Sequence, residues 1–387
     1  MRKHPLLAPL TLAALTLTAC APATASSADS SSSDTSGSSS SAAADATSCG
    51  TTVDEIAAAA AAEGTVNLIA LPDTWANYQG ILASFTSTYG IDAPVANPDA
   101  SSADEVTAIQ TLRGQPDMPD AVDVGPSFTQ QLIDEGYADV YEPTVWDEIP
   151  DALKDPEGHW VAAYYGVMSI ATNTTLVPDA PTSWADLEDP KYQGMVTLNG
   201  DPREAGAAFA AVMAASLANG GSFDDIMPGI EYFAGLKESG NLQTIDVNEA
   251  NLLSGEVPIA LDWTYNFPAI TQEMSDAGFD MQVTVPSDGV YGGFYAQSVV
   301  TESAHPCAAR LWLEHIVGDD GALGYLEGGA IPARYATLLE EGKVSADLAK
   351  NLPDADTIAQ ISFPTQEQVD QAKQALADNW GPMVADK

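Results

Sequence analysis

Two acids, Asp201 and Glu204, stand three residues apart just after Gly200, and aromatic rings recur along the chain at Trp75, Tyr78, Trp263 and Tyr295. Residues three apart share one face of a helix, so both carboxylates could converge on one positive group. An alkylammonium ion suits such an arrangement. Carboxylates accept its N–H donors, while ring faces attract its charge and cover its methylenes. The same two acids would also serve as first-turn charges that complement a helix dipole, and an isolated Trp is more often core than cleft wall. Paired carboxylates among aromatics suit glycoside hydrolysis as well. The chain carries no G-x-S-x-G, HExxH or P-loop pattern, so those hydrolytic and nucleotide-dependent chemistries have no signature here. Its four histidines are scattered and make no zinc pattern with the cysteines.

The elements that must position these residues alternate between strand and helix. Residues 65–70 (Thr-Val-Asn-Leu-Ile-Ala) form a short apolar run fit for a buried strand. Pro72 and Asp73 supply a turn, then Ile81, Leu82 and Phe85 keep helical spacing up to Tyr89 and Gly90. The pattern predicts a helix over 104–112, a strand over 121–124 running into Gly125-Pro126-Ser127, and strands over 258–261 and 281–285. Asp201-Pro202 reads as the opening of an Ala-rich helix, with proline where its missing N–H costs nothing. This alternation argues an α/β fold with covered sheets. Ligands in such folds bind beyond the carboxyl ends of strands, which puts the turns at Trp75, Ser127, Asp201 and Trp263 on one rim.

The N-terminus carries an address. Arg2 and Lys3 precede an apolar stretch from Leu6 to Leu17, and Leu17-Thr18-Ala19-Cys20 closes it. The stretch is shorter than the roughly 20 apolar residues a spanning helix needs; it reads as a secretory signal. Its ending resembles the bacterial lipoprotein cleavage box, in which the cysteine becomes the lipidated first residue. Residues 21–48 are almost entirely Ser, Ala, Thr, Gly and Asp, too polar to offset the entropy of ordering, and are expected to be a tether. Folded sequence is expected from near Asp54, long enough for two lobes. The 13 Lys and Arg against 55 Asp and Glu leave a formal charge of −42, a surface that repels nucleic acid and anionic lipid and draws in cations, or that simply keeps an exported protein soluble. Of three cysteines, Cys49 and Cys307 remain once Cys20 takes the lipid. Export favours a disulfide between them over two free thiols.

Five features occur in order and spacing: Trp75-Ala76-Asn77-Tyr78 with the stretch from Gly80 to Gly90, Asp189-Pro190-Lys191-Tyr192-Gln193-Gly194, Asp201-Pro202-Arg203-Glu204, Trp263 ending an apolar strand, and Phe294-Tyr295-Ala296-Gln297-Ser298. Together they resemble the extracellular solute-binding proteins of ABC importers, closest in pattern to the spermidine/putrescine-binding family. The likeness runs through nearly all of residues 62–335, although no single motif is specific. It implies an α/β type II periplasmic-binding-protein fold, two lobes that are each a helix-covered mixed sheet, with hinge strands crossing near 160–172 and 289–299. The expected organisation is a signal peptide over 1–19, lipidated Cys20 and linker over 20–50, lobe one over 51–163, lobe two over 164–289, and a return to lobe one over 290–387. Cys49 and Cys307 would then share lobe one, which favours their pairing.

The function implied is a monomeric, lipid-anchored receptor. It would capture a small cationic solute between its lobes and deliver it to permease and ATPase subunits, at the outer face of the bacterial cytoplasmic membrane or in a periplasm. The resemblance implies no cofactor and no catalysis. Asp201 and Glu204 would hold an amine, Trp75, Tyr78, Trp263 and Tyr295 would wall the cleft, and Ser127 would supply a hydroxyl. Two positions depart from the pattern. Gln297 stands where polyamine binders carry an aspartate, and Gly329 falls near an expected aromatic. A second amine therefore lacks its anion. Asp262 could replace it, although strand alternation aims neighbours of Trp263 at the opposite face. A shorter amine, a quaternary or a guanidinium compound fits these departures. Other readings are ferric ion at the adjacent Tyr164-Tyr165, a phosphonate or thiamine phosphate at the helix N-termini after Ser127 and Gly200, a secreted glycosidase, and an adhesive surface lipoprotein.

Overall fold

The computed structural model describes residues 49–387; the signal segment, Cys20 and nearly all of the linker lie outside the described residues. Helices begin where the sequence supplies caps. Thr52 and Glu55 form a reciprocal capping box at the helix Val53–Glu63, which ends on left-handed Gly64. Ser101 and Asp104 do the same for the helix Ser102–Leu112. The disulfide Cys49–Cys307 joins the segment before the first helix to the helix Pro306–Val317. The Glu63 carboxylate accepts from the Cys307 and Ala308 amides at 3.2 and 2.7 Å, satisfying two orphan donors of that helix.

Among the described residues ten strands follow in chain order: β1 (Leu68–Ile69), β2 (Val95–Ala96), β3 (Ala121–Val124), β4 (Val161–Asn173), β5 (Val196–Leu198), β6 (Leu242–Gln243), β7 (Ile259–Trp263), β8 (Met281–Thr284), β9 (Gly292–Val299) and β10 (Ile331–Pro332). β1 and β2 make a small parallel pair. The main sheet runs β3-β9-β4-β7-β5-β6, with β8 and β10 also on β4. The 13-residue β4 is shared between two groups of strands. Through Val167 it pairs antiparallel with β9, and from Met168 it pairs antiparallel with β7 and β8. β5 lies parallel to both β6 and β7. Pairing is thus parallel in one part and antiparallel in another, as a mixed sheet requires.

The helix expected to open at Asp201-Pro202 instead spans Gly206–Ala218. Asp201 Oδ1 accepts from the Arg203 amide and the Glu204 amide bonds back to the Asp201 carbonyl; residues 201–204 are a turn, so the two acids are not stacked on a helical face. The helix itself is apolar nearly all round and buried from Gly206 to Ser216, as a helix without a polar face must be. The C-terminal helix Gln366–Trp380 packs its buried Val369, Ala372, Leu376 and Trp380 against the turn Pro126–Phe128 and the helix Met227–Ser239. Lys373 Nζ donates to the Ser127 carbonyl at 2.8 Å and lies 4.4 Å from the Phe128 ring centre.

Candidate functional site

The aromatic residues gather where β4, β7 and β9 meet. Trp75 lies in a loop whose next two residues, Ala76 and Asn77, hold left-handed φ values of 48° and 64°. Such backbone is costly for side-chain-bearing residues and persists where surroundings enforce it. Here Asn77 Nδ2 donates to the Gly324 carbonyl at 3.0 Å. The kink turns the Trp75 ring onto Tyr295 of β9, 5.3 Å away edge to face, and onto Tyr265, 5.9 Å away. Tyr164 of β4 lies 5.3 Å from Tyr265 and 6.5 Å from Tyr295. Trp263 at the end of β7 closes the cluster, 6.0 Å from Tyr265 and 6.4 Å from Tyr295.

Two glycines let these rings reach backbone. A methyl on Gly166 would sit 2.4 Å from Tyr265, and one on Gly293 would sit 2.4 Å from Trp263. Both rings therefore lie against main chain, and any larger residue at either position would push them out.

A carboxylate stands behind the rings. Asp123 is in the middle of β3, opposite Gln297 of β9 in register, and only 5% exposed. Its Oδ2 accepts from Tyr78 OH at 2.7 Å and from Tyr164 OH at 3.1 Å. Trp75 Nε1 donates to Tyr164 OH at 2.9 Å, and Gln297 Nε2 donates to Tyr78 OH at 3.2 Å. Asp123 Oδ1 has no hydrogen-bond partner among the described residues. Burial pushes the Asp123 carboxyl up to about 7, against the opposing pull of the two tyrosine donors. Glu105 lies behind it, accepting the Asp123 amide at 2.8 Å; burial, then the Asp123 charge, raise its pKa well above the carboxylate range. Asp262 is buried too and pushed up to about 6 by desolvation, but its oxygens already accept from the Trp263 amide, Asn199 and Asn266. The partners of Asp123 and Asp262 named here are all neutral. By hydrogen-bond distance and angle, two donors on buried rings of the cluster, Trp263 Nε1 and Tyr265 OH, have no partner among the described residues, although Tyr295 lies near the first and Tyr164 near the second.

Of the residues expected from sequence, Trp75, Tyr78, Trp263, Tyr295 and Gln297 come together here. Ser127 does not join them by any hydrogen bond of its hydroxyl; it is buried under Lys373, which holds its carbonyl. Asp201 forms a two-point ion pair with Arg203 at 2.9 and 2.6 Å, and Glu204 is exposed. Their turn is nonetheless close by: the Ala103 amide donates to the Glu204 carbonyl at 3.3 Å, and Gly206 packs against Gly125 and Tyr295. Tyr165 turns away from Tyr164 and packs on Phe363 at 5.5 Å, so the adjacent tyrosines do not face one point. Among the described residues no group of three His, Cys, Asp or Glu side chains could hold a metal ion. Asp123, Tyr265 and Tyr325, whose ring stacks on Tyr164 at 4.4 Å, are additions that the sequence reading missed. The usable signal for Asp123 was an acid inside an otherwise apolar four-residue strand, since unpaired acids are almost never fully buried.

The arrangement is a box of rings with one carboxylate oxygen and two N–H or O–H donors left over. The solved structure of the periplasmic binding protein AfuA from Actinobacillus pleuropneumoniae, with exogenous fructose-6-phosphate bound, matches with a TM-score of 0.66 at 16% identity, over 83% of this chain and 98% of that one. Iron-bound HitA from Pseudomonas aeruginosa matches with a TM-score of 0.61 at 19% identity, over 81% and 97%. A putative spermidine/putrescine ABC transporter from Listeria monocytogenes matches with a TM-score of 0.59 at 13% identity, over 81% and 98%. At such identities the likeness concerns the fold, which is that of the type II periplasmic binding proteins. No curated protein sequence matches the chain. The family model described as bacterial extracellular solute-binding protein matches residues 117–372, about two thirds of the sequence, and the chain belongs to that family.

Proposed function

We propose that this solute-binding protein captures a small cationic solute in the cleft between two lobes and delivers it to an ABC importer. The observation that carries the reading is Asp123: a buried carboxylate ringed by tyrosines and tryptophans, with one oxygen free and no cationic hydrogen-bond partner among the described residues. A buried anion is costly unless paired, and a bound cation would supply the pair. The ligand set is Asp123, Trp75, Tyr78, Tyr164, Trp263, Tyr265, Tyr295 and Gln297. Asp201, Glu204 and Ser127 serve the rim where the lobes touch. The lobes are residues 51–163 with 290–387, and residues 164–289; the change of β4 partners near Met168 supports a hinge there. A charge-assisted hydrogen bond contributes about 1.5–3 kcal/mol and each cation–π contact about 0.5–2 kcal/mol. A few of these, less the cost of closure and ordering, leave about −8 kcal/mol, or roughly micromolar affinity.

The neighbours that bind a sugar phosphate and iron offer two other ligands. A phosphate would meet the Asp123 and Glu105 carboxyls, and the side-chain donors on Asp123 among the described residues are the neutral Tyr78 and Tyr164; an iron site would need Tyr165 to face Tyr164. Both are therefore disfavoured. A thermal-shift screen of the purified protein against amines, guanidines, quaternary ammonium ions, phosphonates and metals decides among them, because a ligand that binds only the folded form raises its melting temperature by mass action. Stabilisation by organic cations is expected; stabilisation by anions or metals alone would overturn the reading.

Lipidation at Cys20 would tether the protein outside the cytoplasmic membrane, leaving the folded part a monomer on its linker. Cys20→Ser is expected to move the protein from the membrane fraction to the soluble one. Unchanged membrane association of that variant would remove the anchor.

A further inference from the structure

The cleft's unmet polar atoms are not alike. Asp123 Oδ1 is an acceptor that carries charge, whereas Trp263 Nε1 is a donor and Tyr265 OH can donate. All three belong to side chains at most 5% exposed. The Tyr265 ring lies between the two ends, 5.3 Å from Tyr164, which bonds Asp123, and 6.0 Å from Trp263. The donors are held in place, since Gly166 and Gly293 press main chain against the Tyr265 and Trp263 rings. Asp262 is adjacent to Trp263 in β7 and so on the opposite face. Its carboxylate is already engaged by Asn199, Asn266 and the Trp263 amide.

Resting on the cation reading above, we propose that the cleft selects a monocation rather than a diamine: one N–H-bearing ammonium or amidinium seats on Asp123, and a neutral hydrogen-bond acceptor at the ligand's other end seats on Trp263 Nε1 and Tyr265 OH. A second ammonium at that end would meet a fixed N–H donor and an acid already satisfied by others. Buried without a partner, it would cost more than its methylenes gain. An alcohol or carbonyl oxygen there takes up the two orphan donors and offsets their desolvation. Discrimination of this kind is strong because a site built around buried polar groups penalises a ligand that leaves them unpaired.

Titration calorimetry at about pH 8 with three matched series tests this: linear ω-amino alcohols, the α,ω-diamines of the same lengths, and the n-alkylamines. The amino alcohols are expected to bind about tenfold or more tightly than the equal-length diamines. Tyr265→Phe is expected to weaken the amino alcohols severalfold more than the alkylamines, which carry no oxygen to accept from its hydroxyl. Diamines binding as tightly as amino alcohols would overturn the inference while leaving the cation reading intact, as would equal losses for both series in Tyr265→Phe. Because the series comparison uses the unmodified protein, it decides even if the variant fails to fold. No binding by any amine would overturn both this inference and the cation reading beneath it.

Discussion

Two acidic groups lie near the same cluster of rings and have opposite electrostatics. In the turn at residues 201–204, Asp201 is grasped at both oxygens by Arg203. Partial burial works to raise its pKa, but the Arg203 hydrogen bonds and charge outweigh it and hold the carboxyl below its ordinary value. Asp123, well before that turn in the chain, has only tyrosine donors, Tyr78 and Tyr164, and is pushed up to about 7. The first acid has its cation already, supplied by the chain. The second has a demand that the chain leaves unmet. A paired carboxylate at the surface contributes little, while an unpaired buried one is costly, and perturbed buried acids concentrate at functional sites.

The largest effect of substitution is expected at the rings. Trp263→Ala empties a fully packed position and is expected to lower stability by about 3–5 kcal/mol and to weaken cation binding by tenfold or more, read by thermal melting and calorimetry on the same sample. Loss of stability with binding intact would show that the rings serve the core alone.

Acid is the next lever, and its sign is definite. The carboxyls of Asp123 and Asp262 are raised in the folded protein, to about 7 and about 6. The folded form therefore holds their protons more tightly than the unfolded chain does. Their contribution to stability is fully present below about pH 4 and is lost as pH rises through those values. Cation binding runs the other way, because it needs Asp123 ionised. The groups that face Asp123 are Tyr78, Tyr164 and Tyr325, whose pKa values burial raises out of this range, and Glu105, which burial and the Asp123 charge keep protonated to higher pH. Affinity for the best cation is expected to fall by up to about tenfold per pH unit below about pH 7. A flat affinity between about pH 5.5 and 8 would remove Asp123 from the ligand's partners. Arg203→Ala, which frees Asp201 on the rim, has the smallest effect of the set: a change in affinity of about threefold or less.

Much of this was legible in the sequence. Strands do lie where the resemblance implied crossings near 160–172 and 289–299, as β4 at Val161–Asn173 and β9 at Gly292–Val299. The order Trp75, Tyr78, Trp263, Tyr295 marked rings that do assemble. The helix start failed because Asp201-Pro202 has the composition of an N-terminus, while Arg203, two residues on, captures the acid and holds a turn. Asp123 escaped because a single acid inside a strand carries no periodicity, and only the cross-strand register with Gln297 brings it beside Tyr78. Tyr265 escaped for a related reason: its role depends on the main chain at Gly166, a contact that spacing cannot predict.

The most direct measurement is a parallel calorimetric titration of Asp123→Asn and Asp201→Asn with the best cation from the screen, each protein first checked by a melt without ligand. A charge-assisted contact of about 1.5–3 kcal/mol predicts a loss of about tenfold to a hundredfold for Asp123→Asn and about threefold or less for Asp201→Asn. Equal affinities in Asp123→Asn and the unmodified protein, or a larger loss at Asp201, would contradict the account.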